Sequence, residues 1–291
     1  MLLPSASMSV ETKQQQVSFP SGAIVPALGL GTWKMAESKR RRADEIAALR
    51  LGLDLGLTVI DTAEMYANGA AESLVGEALE GRERRDVFLV SKVLPSHAKR
   101  KATLAACGAS LARLRTDYLD LYLLHWRGDT PLRETVDAFT QLVDEGKIRQ
   151  WGVSNFDVAD LDELMDTPGG ASVACNQVLY NLSRRGIEID LLPWCRHHGI
   201  PVMAYSPIEQ GDLLSHAAVE RVAVRHDATP VQICLAWVLR QRGVIAIPKA
   251  GTPSHVREDA GALHLALTAA DVRELDEAFP PPRESRPLEM I

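Results

Sequence analysis

The sequence predicts a (β/α)8 barrel. Eight short runs of β-branched and aliphatic residues occur along the chain, and helical stretches lie between them without a linker or a low-complexity segment. Such alternation is typical of a parallel sheet covered by helices. A doubly wound open sheet is the alternative, but it usually carries a Gly-rich phosphate loop, and Leu28-Gly-Leu-Gly31 is only a fragment of that pattern.

The predicted elements follow in order. Residues 16–26 predict a hairpin that turns at Ser21-Gly22 and plugs one end of the barrel. Threonine followed by proline predicts helix starts at Thr130, Thr229 and Thr252. Further helices are predicted over 42–55, 70–80 and 99–114, and the eight strands over 28–33, 57–61, 87–92, 119–125, 148–154, 172–177, 201–205 and 244–248.

Charge and hydropathy exclude several classes of partner. The chain has 291 residues and a net charge of −6, with no dominant basic face, which argues against a nucleic acid or an anionic membrane as partner. No run of about 18 apolar residues occurs, so no membrane span is expected. We expect a cytoplasmic monomer or weak oligomer.

Cysteine and histidine usage supports the same location and indicates no metal site. The cysteines are scattered through apolar segments without a C-x-x-C pair, which is typical of reduced thiols in a cytoplasm. His197 and His198 are adjacent, and no third ligand lies at a metal-like spacing. The cysteines are Cys107, Cys175, Cys195 and Cys234.

Three apolar runs end in a residue that packing does not explain. The runs end at Asp61, Lys92 and His125, and Tyr66 follows five residues after Asp61. If these strands are parallel neighbours, the four side chains converge at one edge of the sheet, where each polar group can find a partner.

These four residues form a candidate catalytic group for carbonyl reduction. Tyr66 is a poor proton donor near neutral pH unless a cation stabilises its phenolate, and Lys92 supplies that cation. Asp61 would keep Lys92 charged, and His125 would orient a carbonyl oxygen. An acid above a carbonyl, with a hydride arriving from the other face, predicts reduction of an aldehyde or ketone to an alcohol.

Seven motifs stand in a characteristic order and spacing: Asp61-Thr-Ala-Glu-Met-Tyr66, Ser91-Lys92, Leu123-Leu-His125-Trp126, Gly152-Val-Ser-Asn155, Asn176-Gln177, Tyr205-Ser-Pro207 and Ile247-Pro-Lys249. They resemble those of the aldo-keto reductase superfamily, from about Val17 to about Phe279. Within it, the chain is most similar to bacterial reductases of small aldehydes and 2-oxoaldehydes, the methylglyoxal-reductase type.

The chain length predicts one barrel domain, over residues 15–291. Residues 1–14 are small and polar, and we expect them to be disordered.

The resemblance also implies the cofactor, NADPH or NADP+. Ser154, Asn155 and Gln177 are expected to hydrogen-bond the nicotinamide carboxamide, and Tyr205 to stack on its ring. Further contacts are expected at Gly31, Thr32, Trp33, Asp61, Ser206, Pro207, Ile208, Gln210, Gly211, Leu213, Ile247, Pro248, Lys249, Ala250, His255, Glu258 and Asp259.

The end of the cofactor site that takes the 2′-phosphate departs from the family pattern. Lys249 adds a positive charge just before a helix N-terminus, which attracts an anion. Ala250, His255 and Asp259 stand where the family often has serine, arginine and asparagine. Arg257 offers a compensating charge from the same turn. NADPH is the expected cofactor, and NADH is the alternative.

The substrate is expected to be a small carbonyl compound. Aromatic and apolar walls with few fixed charges favour small and aromatic aldehydes. The tail, residues 280–291, is short and is expected to contribute little to this pocket. The predicted pocket residues are Trp33, Met65, Tyr66, His125 and Trp126, with Trp194 as a further candidate at the mouth.

Two other functions are compatible with such a barrel. One is a nicotinamide-binding sensor or partner subunit with little turnover, which the complete set of four polar residues argues against. The other is an aldolase or isomerase that uses Lys92 as a Schiff-base amine.

Overall fold

The computed structural model describes residues 15–291, so the expectation for segment 1–14 lies outside the described residues. Eight parallel strands pair with their sequence neighbours in an unbroken series. A bridge between Leu28 and Ala246 joins the first strand to the last, so the sheet closes and the predicted barrel is confirmed. The strands are β3 (Leu30–Gly31), β4 (Val59–Asp61), β5 (Phe88–Val93), β6 (Leu119–Leu124), β7 (Ile148–Ser154), β8 (Asn176–Leu179), β9 (Val202–Tyr205) and β10 (Val244–Ala246).

The predicted hairpin is present ahead of the barrel. Strands β1 (Gln16–Ser18) and β2 (Ile24–Pro26) pair antiparallel. Gly22 takes the left-handed conformation that the turn requires, with φ 85°. Phe19 is buried and stacks on Phe88 at the start of β5, with ring centroids 4.9 Å apart. The hairpin therefore covers the end of the barrel where the strands begin.

Ten α-helices lie between and after the barrel strands in the described residues. Their starts agree with the capping chemistry at Thr229 and Thr252, whose side chains accept from Gln232 N and His255 N. The helices are α1 (Arg42–Asp54), α2 (Ala70–Ala78), α3 (Arg100–Leu114), α4 (Leu132–Asp144), α5 (Val158–Asp166), α6 (Leu191–His197), α7 (Ala217–Arg225), α8 (Pro230–Leu239), α9 (Pro253–Gly261) and α10 (Ala269–Ala278).

Two local predictions are wrong. Thr130 does not cap α4, because Pro131 itself is extended and the helix begins one residue later without a side-chain cap. The sixth predicted strand, 172–177, is strand only from Asn176 onward. Ser172 ends a 3-10 turn and residues 173–175 form no regular element. The strand continues to Leu179 because that residue still pairs with Tyr205 on β9.

One connected hydrophobic core runs from Val17 to Leu275 and fills the barrel and the layer under the helices. All four cysteines are buried and unpaired. Between residues 15 and 291, no helix is long and apolar enough to cross a membrane. Over the same residues, no group of three or more histidine, cysteine or acidic side chains is arranged to hold a metal ion.

Gly31 lies at the closing seam of the barrel, beside the strand ends that form the site. Its N–H donates to Pro248 O at 2.8 Å. A Cβ atom at this position would lie 2.7 Å from Ile247 O and 3.2 Å from Pro248 O. Only glycine therefore lets the first and last strands approach this closely.

We expect Gly31→Ala to lower the free energy of unfolding by roughly 1–3 kcal/mol, because the methyl group would push the seam apart. Urea unfolding measures the change. Gly108→Ala, in the interior of α3 where a Cβ meets nothing within 4 Å, is the matched control and should stabilise by about 0.5–1 kcal/mol. Equal effects at the two positions would show that the seam is not tightly packed.

Candidate active site

A cavity of about 550 Å³ opens at the ends of the barrel strands. It lies at the carboxyl ends, where enzymes of this fold place their chemistry. Strand ends, the strap and the tail all contribute to its wall. We use strap for residues 206–215 after β9. The lining residues are Gly31, Trp33, Lys34, Asp61, Met65, Tyr66, His125, Trp126, Ser154, Asn155, Gln177, Tyr205, Ser206, Pro207, Ile208, Gln210, Ile247, Pro248, Lys249, Met290 and Ile291.

Lys92 is fully buried and lies behind Asp61 and Tyr66, which line this cavity. Its Nζ donates to Asp61 Oδ2 at 2.7 Å, to Thr62 O at 2.9 Å and to Tyr66 OH at 3.2 Å, which uses all three donors. Burial lowers the pKa of Lys92, but the charge of Asp61 and the contact with Tyr66 outweigh it and leave the pKa raised. A charged ammonium is not a Schiff-base nucleophile, so the aldolase alternative is disfavoured.

Tyr66 follows β4 and opens a 3-10 turn over Tyr66–Gly69. Ala67 and Asn68 in this turn have positive φ angles of 47° and 53°, so the backbone is held in a sparsely populated conformation. Burial raises the pKa of Tyr66 above its ordinary value, Lys92 lowers it, and the charge of Asp61 raises it further. The net shift is upward.

The expectation of an acidified phenol is therefore wrong in direction. Desolvation of the phenolate raises the pKa of Tyr66 more than the Lys92 ammonium lowers it. Tyr66 is therefore a protonated acid at neutral pH, and its ability to give the proton depends on the Lys92 contact. The hydrogen bond from Lys92 is already in place to stabilise the oxygen once the proton leaves.

His125 follows β6 and faces Tyr66, with ring centroids 5.8 Å apart. Only 7% of the residue is exposed. Burial, with a smaller effect of Lys92, lowers the pKa of His125 to about 3, so the ring is neutral near pH 7. Its Nδ1 is buried and has no partner in residues 15–291, so a proton there would be an unsatisfied donor. The favoured tautomer carries the proton on Nε2.

The residues predicted to hold a nicotinamide carboxamide have the free groups that an amide needs. The side-chain nitrogen of Gln177 donates to Asp61 Oδ1 at 2.8 Å, which leaves the side-chain carbonyl oxygen free to accept from a ligand amide. Asn155 accepts from Tyr205 OH at 2.9 Å and donates to Ser154 Oγ at 3.1 Å. The Ser154 hydroxyl proton therefore remains available for a carbonyl oxygen.

The residues predicted to hold the 2′-phosphate form a cationic corner. Lys249 is exposed and has no ion-pair partner within the described chain. The N-terminus of α9, capped by Thr252, lies just beyond it and adds a favourable dipole for an anion. Asp259 is buried, and burial with the nearby Glu258 raises its pKa to about 7. Its carboxyl group therefore repels an anion less than its ordinary charge implies.

The structure brings together all four candidate catalytic residues and most of the predicted cofactor residues. Thr32 is instead fully buried and donates through Oγ1 to Asp61 O at 2.9 Å, where it supports β4. The predicted cofactor residues that do not line the cavity are Thr32, Gly211, Leu213, Ala250, His255, Glu258 and Asp259.

Three lining residues were missed. Lys34 follows Trp33 directly, so a cation beside a predicted cofactor residue was a usable signal. Met290 and Ile291 line the cavity, so the expectation that the tail contributes little is wrong. No local pattern marks these two residues, because tertiary packing alone returns the tail to the barrel mouth.

Trp194 is not at the mouth, and this expectation is also wrong. Its Nε1 donates to Asp162 at 2.9 Å, and its ring stacks on His198 with centroids 3.8 Å apart. Both contacts lie on the helical layer, where an amphipathic ring can pack with its N–H satisfied. The residue therefore packs α6 against α5.

This fold and site define a barrel oxidoreductase that reduces carbonyl groups with a nicotinamide cofactor. A closed barrel holds a protonated phenol against a buried ammonium, with a neutral imidazole beside it and amide-binding groups next to both. The chain belongs to the aldo/keto reductase family, whose model matches residues 27–279. The predicted family, fold and reductase class are confirmed, and the sensor alternative is not favoured.

Individual relatives agree with this assignment. The chain is 51% identical to the methylglyoxal reductase YeaE of Escherichia coli, covering 96% of this chain and 100% of that protein. It is 34% identical to a glyoxal reductase of Bacillus subtilis, covering 89% and 91%. A Klebsiella pneumoniae aldo/keto reductase, solved with NADP and acetate, superposes with a TM-score of 0.93 at 53% identity over 96% of this chain and 100% of that one.

The depressed pKa of His125 predicts a specific pH dependence of stability. Below its ordinary pKa of about 6.5, the unfolded chain binds a proton that the folded site rejects, so folding weakens as pH falls from there towards 3. Between pH 7 and pH 5, this group should remove about 2 kcal/mol from the free energy of unfolding.

Urea unfolding at the two pH values tests this. His125→Gln should lose that part of the pH dependence, whereas His197→Gln, at an exposed position on α6, should keep it. An unchanged pH dependence of the free energy of unfolding in His125→Gln would mean that the pKa of His125 is not lowered in the folded protein.

Proposed function

We propose that the protein reduces small uncharged aldehydes, 2-oxoaldehydes and ketones to alcohols, with Tyr66 as the proton donor. The observation that carries this proposal is the Lys92 Nζ contact with Tyr66 OH at 3.2 Å, backed by Asp61 at 2.7 Å. A protonated phenol that is hydrogen-bonded to a fixed cation is ready to give a proton and to stabilise the remaining charge.

Each of the four residues has a distinct proposed role. A reduced nicotinamide, when bound, would supply the hydride for the carbonyl carbon. Tyr66 gives its proton to the carbonyl oxygen, which completes the alcohol. His125, neutral with its proton on Nε2, donates a hydrogen bond that orients the same oxygen. Lys92 stabilises the phenolate, and Asp61 keeps the Lys92 ammonium charged in its buried site.

The cofactor is proposed to lie along the cavity from Tyr205 to Lys249. Gln177 and Ser154 offer an acceptor and a donor to the carboxamide, and the Tyr205 ring offers a flat face. Lys34 donates to Gln210 of the strap at 3.0 Å, so this bond spans the cleft between the first barrel strand and the strap. NADPH is preferred over NADH because Lys249 and the α9 N-terminus form a site for a phosphate.

The substrate class follows from the remaining wall. Trp33, Trp126, Met65 and the tail residues Met290 and Ile291 form an aromatic and apolar mouth. Such a wall favours compact carbonyl compounds without a fixed charge. The E. coli relative is named for reduction of methylglyoxal, a 2-oxoaldehyde of this size, and we propose that compound as a substrate of this chain.

We further propose that residues 15–291 act as one domain, as a monomer or weak oligomer in the cytoplasm without a nucleic-acid partner. A single core that includes both Val17 and Leu275 supports the one domain. Four buried unpaired cysteines support a reducing compartment, and the net charge of −6 disfavours a polyanionic partner. Size-exclusion chromatography with light scattering tests the oligomeric state.

Replacing Tyr66 by Phe should lower kcat for methylglyoxal about 10²–10⁴-fold, because the hydroxyl that the Lys92 ammonium contacts is removed. NADPH binding, followed by protein fluorescence quenching, should stay close to that of the unchanged protein. Tyr118→Phe, which removes a phenol hydroxyl far from the cavity, is the matched control and should keep full turnover. Undiminished turnover by Tyr66→Phe would refute its role as proton donor.

Replacing Lys249 by Met should raise KM for NADPH about tenfold or more, because a charge-assisted contact with the 2′-phosphate is lost. KM for NADH, which lacks that phosphate, should change little. Lys101→Met, which removes an exposed lysine on α3, controls for net charge. If both nicotinamides lose affinity equally, Lys249 does not read the 2′-phosphate.

A further inference from the structure

The tail closes one side of the substrate cavity, and two neighbouring arginines hold it. Arg185 donates to Phe279 O at 2.7 Å and to Asp276 Oδ1 at 2.7 Å, just where α10 gives way to the tail. Arg184 donates to Glu289 Oε1 at 2.8 Å, one residue before Met290. The start and the end of the tail are therefore fixed from the same loop between β8 and α6.

Packing alone does not determine where the end of the tail lies. On one side it faces the substrate cavity, and on the other a second cavity of about 220 Å³ separates it from the barrel wall. Met290 and Ile291 are 57% and 52% exposed, so their side chains gain little from burial. Leu288 packs against the core and the Ile291 backbone contacts Tyr205, so the ionic contact from Arg184 to Glu289 is one of three restraints on either side of Met290.

The same guanidinium also holds the strap. Arg184 Nε donates to Glu209 Oε1 at 2.9 Å, and the other oxygen of Glu209 accepts from Asn181 Nδ2 at 2.6 Å. Asn181 in turn accepts from Arg184 N at 3.0 Å, which fixes the backbone under the arginine. One side chain on a restrained loop therefore spans two carboxylates, one in the strap and one in the tail.

The strap conformation needs such restraints. Ser206, Glu209 and Gln210 have positive φ angles of 47°, 46° and 54°, a region that residues with a Cβ rarely adopt. Glu209 is held by Arg184, and Gln210 by Lys34 at 3.0 Å. Loss of the Arg184 contact would leave the Glu209 side chain with Asn181 alone and would free Glu289 of the tail at the same time.

We propose that Arg184 is a positioning residue that couples the cofactor strap to the substrate-facing tail. Because it binds Glu209 and Glu289 together, the strap conformation at the proposed cofactor site also sets where Met290 and Ile291 lie at the proposed substrate mouth. Specificity for larger aldehydes then depends on Glu209 of the strap, a residue that does not itself line the cavity. This inference rests on the proposed function, since it assigns the tail a role in substrate binding.

The test compares kcat and KM for methylglyoxal and phenylglyoxal, which share their chemistry and differ in the group that would reach the tail. In Arg184→Gln we expect KM for phenylglyoxal to change roughly fivefold or more, in the range typical of site-to-site coupling. kcat should hold for both compounds, and methylglyoxal should be affected less. Arg221→Gln, which breaks a similar bridge to Glu274 away from the site, is the matched control.

Glu209→Gln separates coupling from a merely local effect. It alters only the strap, yet it should shift KM for phenylglyoxal in the same direction as Arg184→Gln. When Glu209→Gln is combined with Met290→Ala, that shift should be absent. Arg184→Lys can hold only one of the two carboxylates, so it should bring KM for phenylglyoxal only part of the way back to that of the unchanged protein. An unchanged ratio of the two KM values in Arg184→Gln, or an equal fall in kcat for both aldehydes, would overturn the proposal.

Failure of the substrate assignment would be visible separately. If the unchanged protein reduces neither aldehyde, the proposed substrate class is wrong, and the coupling is read from cofactor binding alone. Glu289→Gln, which lies in the tail, should then weaken NADPH binding measured by fluorescence, as Arg184→Gln does. Identical NADPH affinity in Glu289→Gln and the unchanged protein would show that strap and tail are independent.

Discussion

The buried ion pair between Lys92 and Asp61 is the constraint on which the site depends. An ammonium without exposure to solvent is costly unless a carboxylate and further acceptors surround it, and this one has Asp61, a backbone carbonyl and a phenol. Two strands, β4 and β5, and one turn must keep their register to bring those partners to Lys92. The Tyr66 hydroxyl is thus held in place as one of the acceptors that the buried Lys92 ammonium requires.

Burial around this ion pair sets different protonation states for the two neighbouring rings, Tyr66 and His125. Burial raises the pKa of the Tyr66 phenol and, together with the Lys92 charge, lowers that of the His125 imidazole. Near neutral pH one ring is therefore a protonated acid and the other a neutral hydrogen-bond donor. These adjacent groups acquire different tasks because burial penalises the charged form of each, which keeps the phenol protonated and the imidazole neutral.

Much of this was predictable from the sequence, because the informative residues end recognisable strands. Asp61, Lys92 and His125 close apolar runs, so strand periodicity alone placed them at one edge of the barrel. The helix starts at Thr229 and Thr252 carry capping chemistry that acts locally. Thr130 shows the limit of such rules, since the same Thr-Pro pattern precedes α4 without capping it.

The features that were missed depend on non-local packing or on a balance of energies. Met290 and Ile291 return to the cavity through contacts of the tail with Arg184 and Arg185, and no short pattern encodes that path. The direction of the Tyr66 pKa shift required the burial of the phenol to be weighed against the Lys92 charge. The sequence identifies Tyr66 and Lys92, but only the structure shows that burial of the phenol outweighs the Lys92 charge.

The charge state of Lys92 tests the central claim most directly. The ¹⁵N chemical shift of its Nζ, recorded by NMR while pH is raised from about 6 to 10, distinguishes an ammonium from an amine. We expect an ammonium throughout, because the carboxylate and the phenol raise its pKa above the ordinary lysine value of about 10.4. A neutral amine at pH 7 would contradict the account, since the Tyr66 oxygen would then have no fixed cation beside it.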